Sequence, residues 1–506
     1  MATRKNGFWA LLAAAVLTLS GCSTLPGNVP GDSPDSSAPP VSSSGPSAPA
    51  TFTLAYDPED TLNPYAAVSR TNLELSHLLY DSLTALDAKW IAQPSLAASV
   101  EQTEALRLAA SLREGAVFSD GTPVTAADVV YSFNLGKASS NYKALLANLT
   151  TAAATDGNRI VFTLASPDPN AAACLTFPVL KSGTADSPVG GGRYMPAAEP
   201  IRLVRNPHAG SVSLEPLYLR EQTTAETIRQ GLEAGTIQYF FDDLSDGDIP
   251  RLSCASVSIP MNNLVFLGVN AAKKRDLENA LVRQALAAAL DRTALAETAF
   301  AGRAQAAPTP FHPVWGPAVE LKGFSAGENL AVAVAQLEQA GYNTRSNDSV
   351  SGGKDLSLTL LYVGGNSFRE ELAALIKQQL EKTGLSLTLE KVEADVYRSR
   401  LQRGDFELYL GEIRLSANMS LRPLLTEGGA AAYGVRTNGA GAAAYGRYLT
   451  GELTLEGFCE AFTADVPFIP LCWRKGIAAY DRNLSGVAPI AFNPYYGIEG
   501  WVLPSS

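Results

Sequence analysis

Histidine is scarce in this 506-residue chain: His77, His208 and His312 are the whole set. None falls in an H-E-x-x-H pattern, and neither a G-x-S-x-G elbow nor a P-loop glycine pattern is read, so the common signatures of metalloprotease, serine-hydrolase and NTPase chemistry are expected to be missing. Carboxylate-only hydrolysis stays open, because paired acids need not be neighbours in the chain. His77, just before Leu78 and Leu79, reads as a satisfied structural residue of a helix. His312, between Phe311 and Pro313, reads as a turn residue within reach of a ligand. Cysteine is nearly as sparse, with five residues. Apart from Cys22 they are Cys174, Cys254, Cys459 and Cys472, with no C-x-x-C and no histidine at ligand spacing, which argues against a zinc site. Cys459 and Cys472 are able to pair in an oxidising exterior; the alternative is buried thiols acting as small hydrophobes. Positive charge is also short: 39 Lys and Arg stand against 50 Asp and Glu, a net charge of −11. That balance argues against nucleic acid or anionic lipid as a partner.

What is present begins at the N-terminus. Arg4 and Lys5 precede an apolar run over residues 8–19, too short for a comfortable permanent span and matched to a secretory signal. Leu19-Ser20-Gly21-Cys22 matches a lipobox, in which the Cys22 thiol is acylated, as by palmitate, and becomes the new N-terminus. The alternative is a plain signal peptide with an incidental cysteine. Two or three acyl chains hold a protein stably at a membrane, where one is marginal. Residues 23–50 are Ser, Pro, Gly and Ala with few large apolar side chains. Such a segment cannot bury enough surface to offset its ordering entropy and reads as a disordered tether. No later segment is long and apolar enough to cross a membrane. These features place a globular domain at the extracytoplasmic face of a bacterial cell membrane, on a lipid anchor. Residues 51–506 exceed the usual size of a single core, so more than one lobe is expected.

The most telling stretch is 112–133. Asp120-Gly121 is a turn signal. Thr125 with Asp128 three residues on reads as a helix N-cap, and Val129, Val130 and Phe133 then supply an apolar face. As a string, Leu112-Arg113-Glu114-Gly115 through Phe118-Ser119-Asp120-Gly121-Thr122-Pro123 to Asp128-Val129 resembles a signature of family 5 extracellular solute-binding proteins, the peptide and nickel receptors of ABC importers. Further strings resemble that family in the same order: Leu62-Asn63-Pro64, Tyr80-Asp81-Ser82-Leu83, Pro188-Val189-Gly190-Gly191-Gly192, Arg205-Asn206-Pro207, Val282-Arg283-Gln284-Ala285-Leu286, Ala340-Gly341-Tyr342 and Gly404-Asp405-Phe406-Glu407-Leu408. Arg193 stands where the family usually has Pro. The glycines at 190–192 read as a crossover where backbone meets backbone. A strand is expected over 264–270 and a helix over 278–292. Residues 356–363, 368–382 and 385–392 read as a βαβ unit with a parallel strand pair.

The resemblance implies an α/β, two-lobed periplasmic-binding-protein-like fold, type II, of the large dipeptide/oligopeptide class. Lobe 1 would comprise 51–82, 188–263 and 477–506, with an extra subdomain at 83–187; lobe 2 would run over 264–476. It implies a monomer without cofactor or catalytic residues, capturing a peptide or similar small solute between the lobes for an ABC permease. A peptide-signal receptor or chaperone without transport is the alternative; a nickel chelate is a lesser one, which the few histidines do not support. In peptide-binding members an acid after the Gly404–Leu408 motif takes the peptide amine. Here Ser416 stands near that position, with Asn418 beyond it, and Arg414 appears where a base is unusual. Arg414 either faces the cleft and binds a carboxylate bidentately, or lies on a strand edge paired with Glu412 or another local acid. Glu59, Asp60 and Asn63 are candidates from the first loop, and Trp315 and Tyr433 from possible aromatic walls.

Overall fold

The computed structural model describes residues 51–155, 157–197, 201–245, 252–344 and 353–504. The apolar leader, Cys22 and the tether lie outside the described residues.

The described residues form three larger sheets and a two-stranded antiparallel pair, Thr84–Leu86 with Ala92–Pro94. In the first, strand Phe52–Tyr56 pairs in parallel with Leu217–Glu221, which continues antiparallel to Arg202–Arg205 and then Tyr194–Ala197. The second is an antiparallel sheet in the order Ala97–Glu104, Arg107–Leu112, Arg159–Leu164, Leu149–Thr155. Helix Ala126–Ala138 packs Val129 and Phe133 into its core with Phe162 and Phe177. That helix starts as its sequence dictates: Asp128 N–H donates to Thr125 Oγ1, while the Asp128 carboxylate accepts from Thr125 N–H at 2.9 Å. The capping box satisfies donors that the first turn leaves open. Just before it, Gly121 takes φ +81°, as the Asp-Gly turn requires.

The third sheet is seven-stranded and mixed. Two long strands, Ala255–Val269 and Phe468–Tyr480, run antiparallel through its centre with irregular register between Pro260 and Leu264 and again between Val265 and Phe266. Tyr239–Asp242 flanks them on one side and Leu408–Arg414 on the other. Ser357–Val363 and Ser386–Val392 form the expected parallel pair, joined by helix Ser367–Glu381. The sheet is apolar on both faces: Leu264 and Phe266 enter one core, Val265 and Leu267 the other. Strand alternation produces this two-sided burial.

Two expectations are corrected. The strand expected over 264–270 is Ala255–Val269, because Ser, Pro and Asn positions that weaken the apolar signal still pair with Phe468–Tyr480. The single helix expected over 278–292 is divided into Arg275–Glu278, Ala280–Ala288 and, beyond Asp291, Arg292–Ala299. Asn279 and Asp291 each cap a new helix; the Asp291 carboxylate accepts from Ala294 N–H at 2.8 Å. The Arg292 guanidinium is buried and donates to the carbonyls of Ala287, Ser325 and Pro470. The glycine crossover is as read: a Cβ at Gly190 would stand 2.2 Å from the Leu79 carbonyl oxygen, and one at Gly192 2.4 Å from the Leu79 carbonyl carbon.

Candidate functional site

Helix Arg70–Leu79 buries Leu75, Leu78 and Leu79. Arg70, Glu74 and His77, spaced i, i+4 and i+7, form a polar stripe on another face of the helix. His77 is exposed to water, yet burial among surrounding protein pushes its pKa down to about 4. Burial lifts Glu74 to about 7, with Arg70 opposing the rise and Asp242 and Asp243 adding to it. Arg70 links the stripe to Asp243, whose Oδ1 lies 3.1 Å from Arg70 Nη1. The His77 side chain is exposed on the helix surface.

Strand Leu408–Arg414 contributes to the same polar cluster. Leu408 and Leu410 point into one core of the large sheet. Glu412 and Arg414 have the same parity and continue that face where the core ends. Glu412 accepts from Arg474 Nη1 at 3.2 Å and Asn263 Nδ2 at 3.0 Å, so Arg414 does not depend on it. Arg414 Nε donates to Asn262 Oδ1 at 3.3 Å, and its Nη1 lies 3.9 Å from Asp243 Oδ2. The other oxygen of Asp243 lies 3.1 Å from Arg70 Nη1. Asp243 thus stands between a base on the helix and a base on the strand. Burial would raise its pKa, but Arg70, hydrogen bonds from Ser245 and the Arg414 charge together hold it below the usual carboxylate value.

Farther along, the chain after Arg414 meets the second sheet's surroundings across a cavity of about 190 Å³, lined by Ala144, Leu145, Asn148, Ser416, Asn418 and Ser420 among others. Asn418 Nδ2 donates to Asp168 Oδ2 at 2.7 Å, and both residues are buried. Burial raises the Asp168 pKa against the Asn170 and Asn418 hydrogen bonds and the Arg422 charge. Arg422 donates to the Pro167 carbonyl, and Asn170 Nδ2 to the Tyr448 hydroxyl at 3.0 Å. Asn418 Oδ1 is buried without a hydrogen-bond partner among the described residues.

The structure brings Arg414, Ser416 and Asn418 to these two adjoining regions and gives the other candidates different surroundings. Glu59 is exposed on the first loop. Asp60 accepts from Val68 and Ser69 N–H at 2.8 and 2.6 Å and so holds that loop's shape. Asn63 is buried, donating to the Ala185 carbonyl and accepting from Tyr65 N–H. Trp315 is a core residue with its ring 5.3 Å from Phe311, which removes it from an open aromatic wall. Tyr433 is half-buried beside Tyr409, with ring centroids 6.3 Å apart. His312 is enclosed between Trp90 and Trp473, and its Nδ1 accepts from Val314 N–H, so it does not reach a ligand. Arg70, Glu74, Asp168, Asp243 and Asn262 escape the sequence reading. Only the polar stripe of Arg70, Glu74 and His77 leaves a periodic trace in the sequence. The expected absence of a G-x-S-x-G string is corrected, because Gly323-Phe324-Ser325-Ala326-Gly327 spells it. It lies in irregular chain with no strand leading into it, so it lacks the strand–turn–helix context that exposes a nucleophile. The four cysteines in the described residues are free thiols, including Cys459 and Cys472. No group of three His, Cys, Asp or Glu able to hold a metal ion occurs among the described residues.

The fold is mixed α/β with several sheets, and its polar cluster is assembled from separate stretches of chain. Residues 92–425 match the model of bacterial extracellular solute-binding proteins, family 5 (middle). The chain is 25% identical over 381 residues to the oligopeptide-binding protein AppA of Bacillus subtilis, covering 66% of this chain and 68% of AppA. It is 26% identical over 391 residues to protein XP55 of Streptomyces lividans, covering 71% and 70% of the two. Its fold matches the unliganded open form of MppA, a periplasmic murein tripeptide-binding protein, with a TM-score of 0.73 at 19% identity, over 90% of this chain and 97% of that one. The chain belongs to family 5 of the bacterial extracellular solute-binding proteins.

Proposed function

We propose that this protein is the solute-receiving lipoprotein of an ABC importer. Anchored through Cys22 at the outer face of the cell membrane, it takes up a peptide or similar small solute and delivers it to a membrane permease as a monomer. The observation that supports this reading is the family match over residues 92–425, beside the polar cluster of Arg70, Glu74, Asp243 and Arg414 that links helix Arg70–Leu79 to strand Leu408–Arg414. Lobe 1 is assigned to 51–82, 188–263 and 477–506, its extra subdomain to 83–187, and lobe 2 to 264–476. On this division strands Ala255–Val269 and Phe468–Tyr480 run from one lobe into the other, and the register irregularities after Pro260 and Val265 supply places to bend. A solute shifts the balance toward a closed form only to the extent that it binds that form more tightly, so it has to contact both lobes.

Native mass spectrometry of the purified chain, followed by a thermal-shift screen over pooled short peptides, tests the reading. A co-purified or added peptide that raises the melting temperature supports it, since a ligand selective for the folded state stabilises that state. Absence of any bound solute, together with unchanged peptide uptake in cells lacking the gene, would refute it. Anchoring is checked separately: Cys22→Ala should move the protein from the membrane fraction to the soluble one.

A further inference from the structure

The turn that joins Thr84–Leu86 to Ala92–Pro94 holds a residue its backbone does not favour. Trp90 has φ +57°, a left-handed conformation that side chains with a Cβ avoid and that glycine adopts freely. The rest of the turn keeps it there. The Asp87 carboxylate accepts from Lys89 and Ile91 N–H at 2.8 and 3.0 Å and from Gln93 Nε2 at 2.9 Å, and Trp90 N–H donates to the Asp87 carbonyl at 2.9 Å. Glycine would serve this turn with less strain, so the turn alone gives no reason for an indole. The surroundings of the ring do.

Trp90 is 1% exposed. Its ring centroid lies 4.4 Å from that of His312 and 5.2 Å from that of Phe492, and His312 in turn lies 5.0 Å from Trp473. Burial pushes the His312 pKa down to about 3, so the imidazole between the two indoles is neutral. Gly316 N–H donates to the Lys89 carbonyl at 2.9 Å, a second tie from the turn to the chain that carries His312. Trp473 marks the place where the two long strands lose their register. It faces Leu264, and the ladder is irregular between Pro260 and Leu264. On the lobe division proposed above, Trp90 belongs to the extra subdomain, His312 and Trp473 to lobe 2, and Phe492 to lobe 1. One indole therefore sits where all three meet, beside the strand bend.

We propose that Trp90 is a wedge at the hinge: it positions lobe 2 against lobe 1, and closure on a solute has to repack its contacts. The inference rests on the lobe division of the importer reading and makes the extra subdomain part of the hinge. A close-packed ring restrains a bend because packed cores shift between discrete arrangements and do not deform continuously.

The test is hydrogen–deuterium exchange of the full chain, without solute, read by mass spectrometry over the bend (260–264 and 472–476) and over the second sheet (97–112 and 159–164). Trp90→Gly eases the backbone and removes the ring. It should speed exchange at the bend by about tenfold, the loss expected for two ring contacts, and leave the second sheet at its wild-type rate. Trp90→Phe, which keeps a smaller ring, should fall between the two. A role in the turn alone requires exchange at the bend equal to or slower than wild type in Trp90→Gly, and that result would overturn the wedge. A rise confined to the hairpin and second sheet, or one uniform over both regions, would overturn it as well, because it marks a general stabiliser. If Trp90→Gly does not fold, Phe492→Leu removes the lobe 1 ring while filling much of its space; about threefold faster exchange at the bend is then expected, and an unchanged rate refutes the wedge. No solute enters the measurement, so its failure leaves solute capture standing, and a failed capture screen leaves the exchange result standing.

Discussion

The Glu412–Arg474 pair offers a quantitative test of what joins the strands at the polar cluster. Arg474 is 4% exposed and Glu412 19% exposed at the side chain. Arg474 Nη1 meets Glu412 Oε1 at 3.2 Å, its Nη2 donates to the Leu244 carbonyl, and its Nε is buried without a partner among the described residues. Glu412 has a broader set of contacts, accepting also from Asn263 Nδ2 at 3.0 Å and facing Arg369 at 3.9 Å. The two single substitutions are therefore unequal. Glu412→Gln leaves a deeply buried guanidinium without its counter-charge and should cost about 2–4 kcal/mol, less than a fully buried pair because water reaches Glu412. Arg474→Met removes the desolvated charge itself and leaves Glu412 with Asn263 and Arg369, so about 1–2 kcal/mol is expected. Urea unfolding at constant slope gives both values and that of the double variant. The double variant should be about 1.5 kcal/mol or more stable than the sum of the singles predicts, because its second change removes a group already orphaned by the first. Additive losses, or a larger loss for Arg474→Met than for Glu412→Gln, would refute this account of the pair.

Three further outcomes follow from local geometry. Glu74, lifted by burial to about 7 in the fold, binds a proton more tightly there than in the unfolded chain. Its contribution is fully present below the unfolded pKa and is lost as pH rises through about 7, with a slope of up to about 1.4 kcal/mol per pH unit; Glu74→Gln should flatten that part of the stability profile measured by urea unfolding. Asp128→Ala removes acceptors for Thr125 N–H at 2.9 Å and Ser182 N–H at 2.8 Å. It should destabilise the chain by about 2 kcal/mol, against about 1 kcal/mol for Thr125→Ala; equal losses on denaturation would show that the Ser182 tie contributes nothing. Cys174, Cys459 and Cys472 are buried with thiol pKa values pushed up by burial, whereas Cys254 is half-exposed. Native-state labelling with a thiol reagent should therefore favour Cys254, and all four should react once the chain is unfolded.

Legibility varied with how local each feature is. The cap at Thr125, the Gly121 turn and the parallel pair flanking Ser367–Glu381 rest on contacts a few residues apart, or on an apolar period, and can be read from sequence. The split of 278–292 was hidden because Asp291 sits inside an unbroken apolar period. Its side chain prefers capping the next helix to continuing the last one. Trp315 and His312 show the opposite failure. Their residue types suit a ligand pocket, but which neighbours enclose them depends on Phe311, Trp90 and Trp473, none of which is signalled locally as a partner. The candidate site was half-legible. Arg414, Ser416 and Asn418 are noticed because they depart from the family pattern, whereas Asp243 and Asp168 depend on pairings across 171 and 250 positions and leave no periodic mark.

Those long-range partners change the meaning of the departure itself. A lone arginine on a strand edge next to Glu412 would ordinarily be neutralised by it. Here Arg474, buried against the Leu244 carbonyl, has already taken Glu412, and Arg70 has taken Asp243 more closely than Arg414 does. Among the described residues, the base at position 414 is therefore left without a close carboxylate by two other arginines, each better placed to serve those acids. Weakening Arg474 would free Glu412 to capture Arg414, and weakening Arg70 would draw Arg414 closer to Asp243. A substitution at either of these arginines would then restore a close internal acid to Arg414.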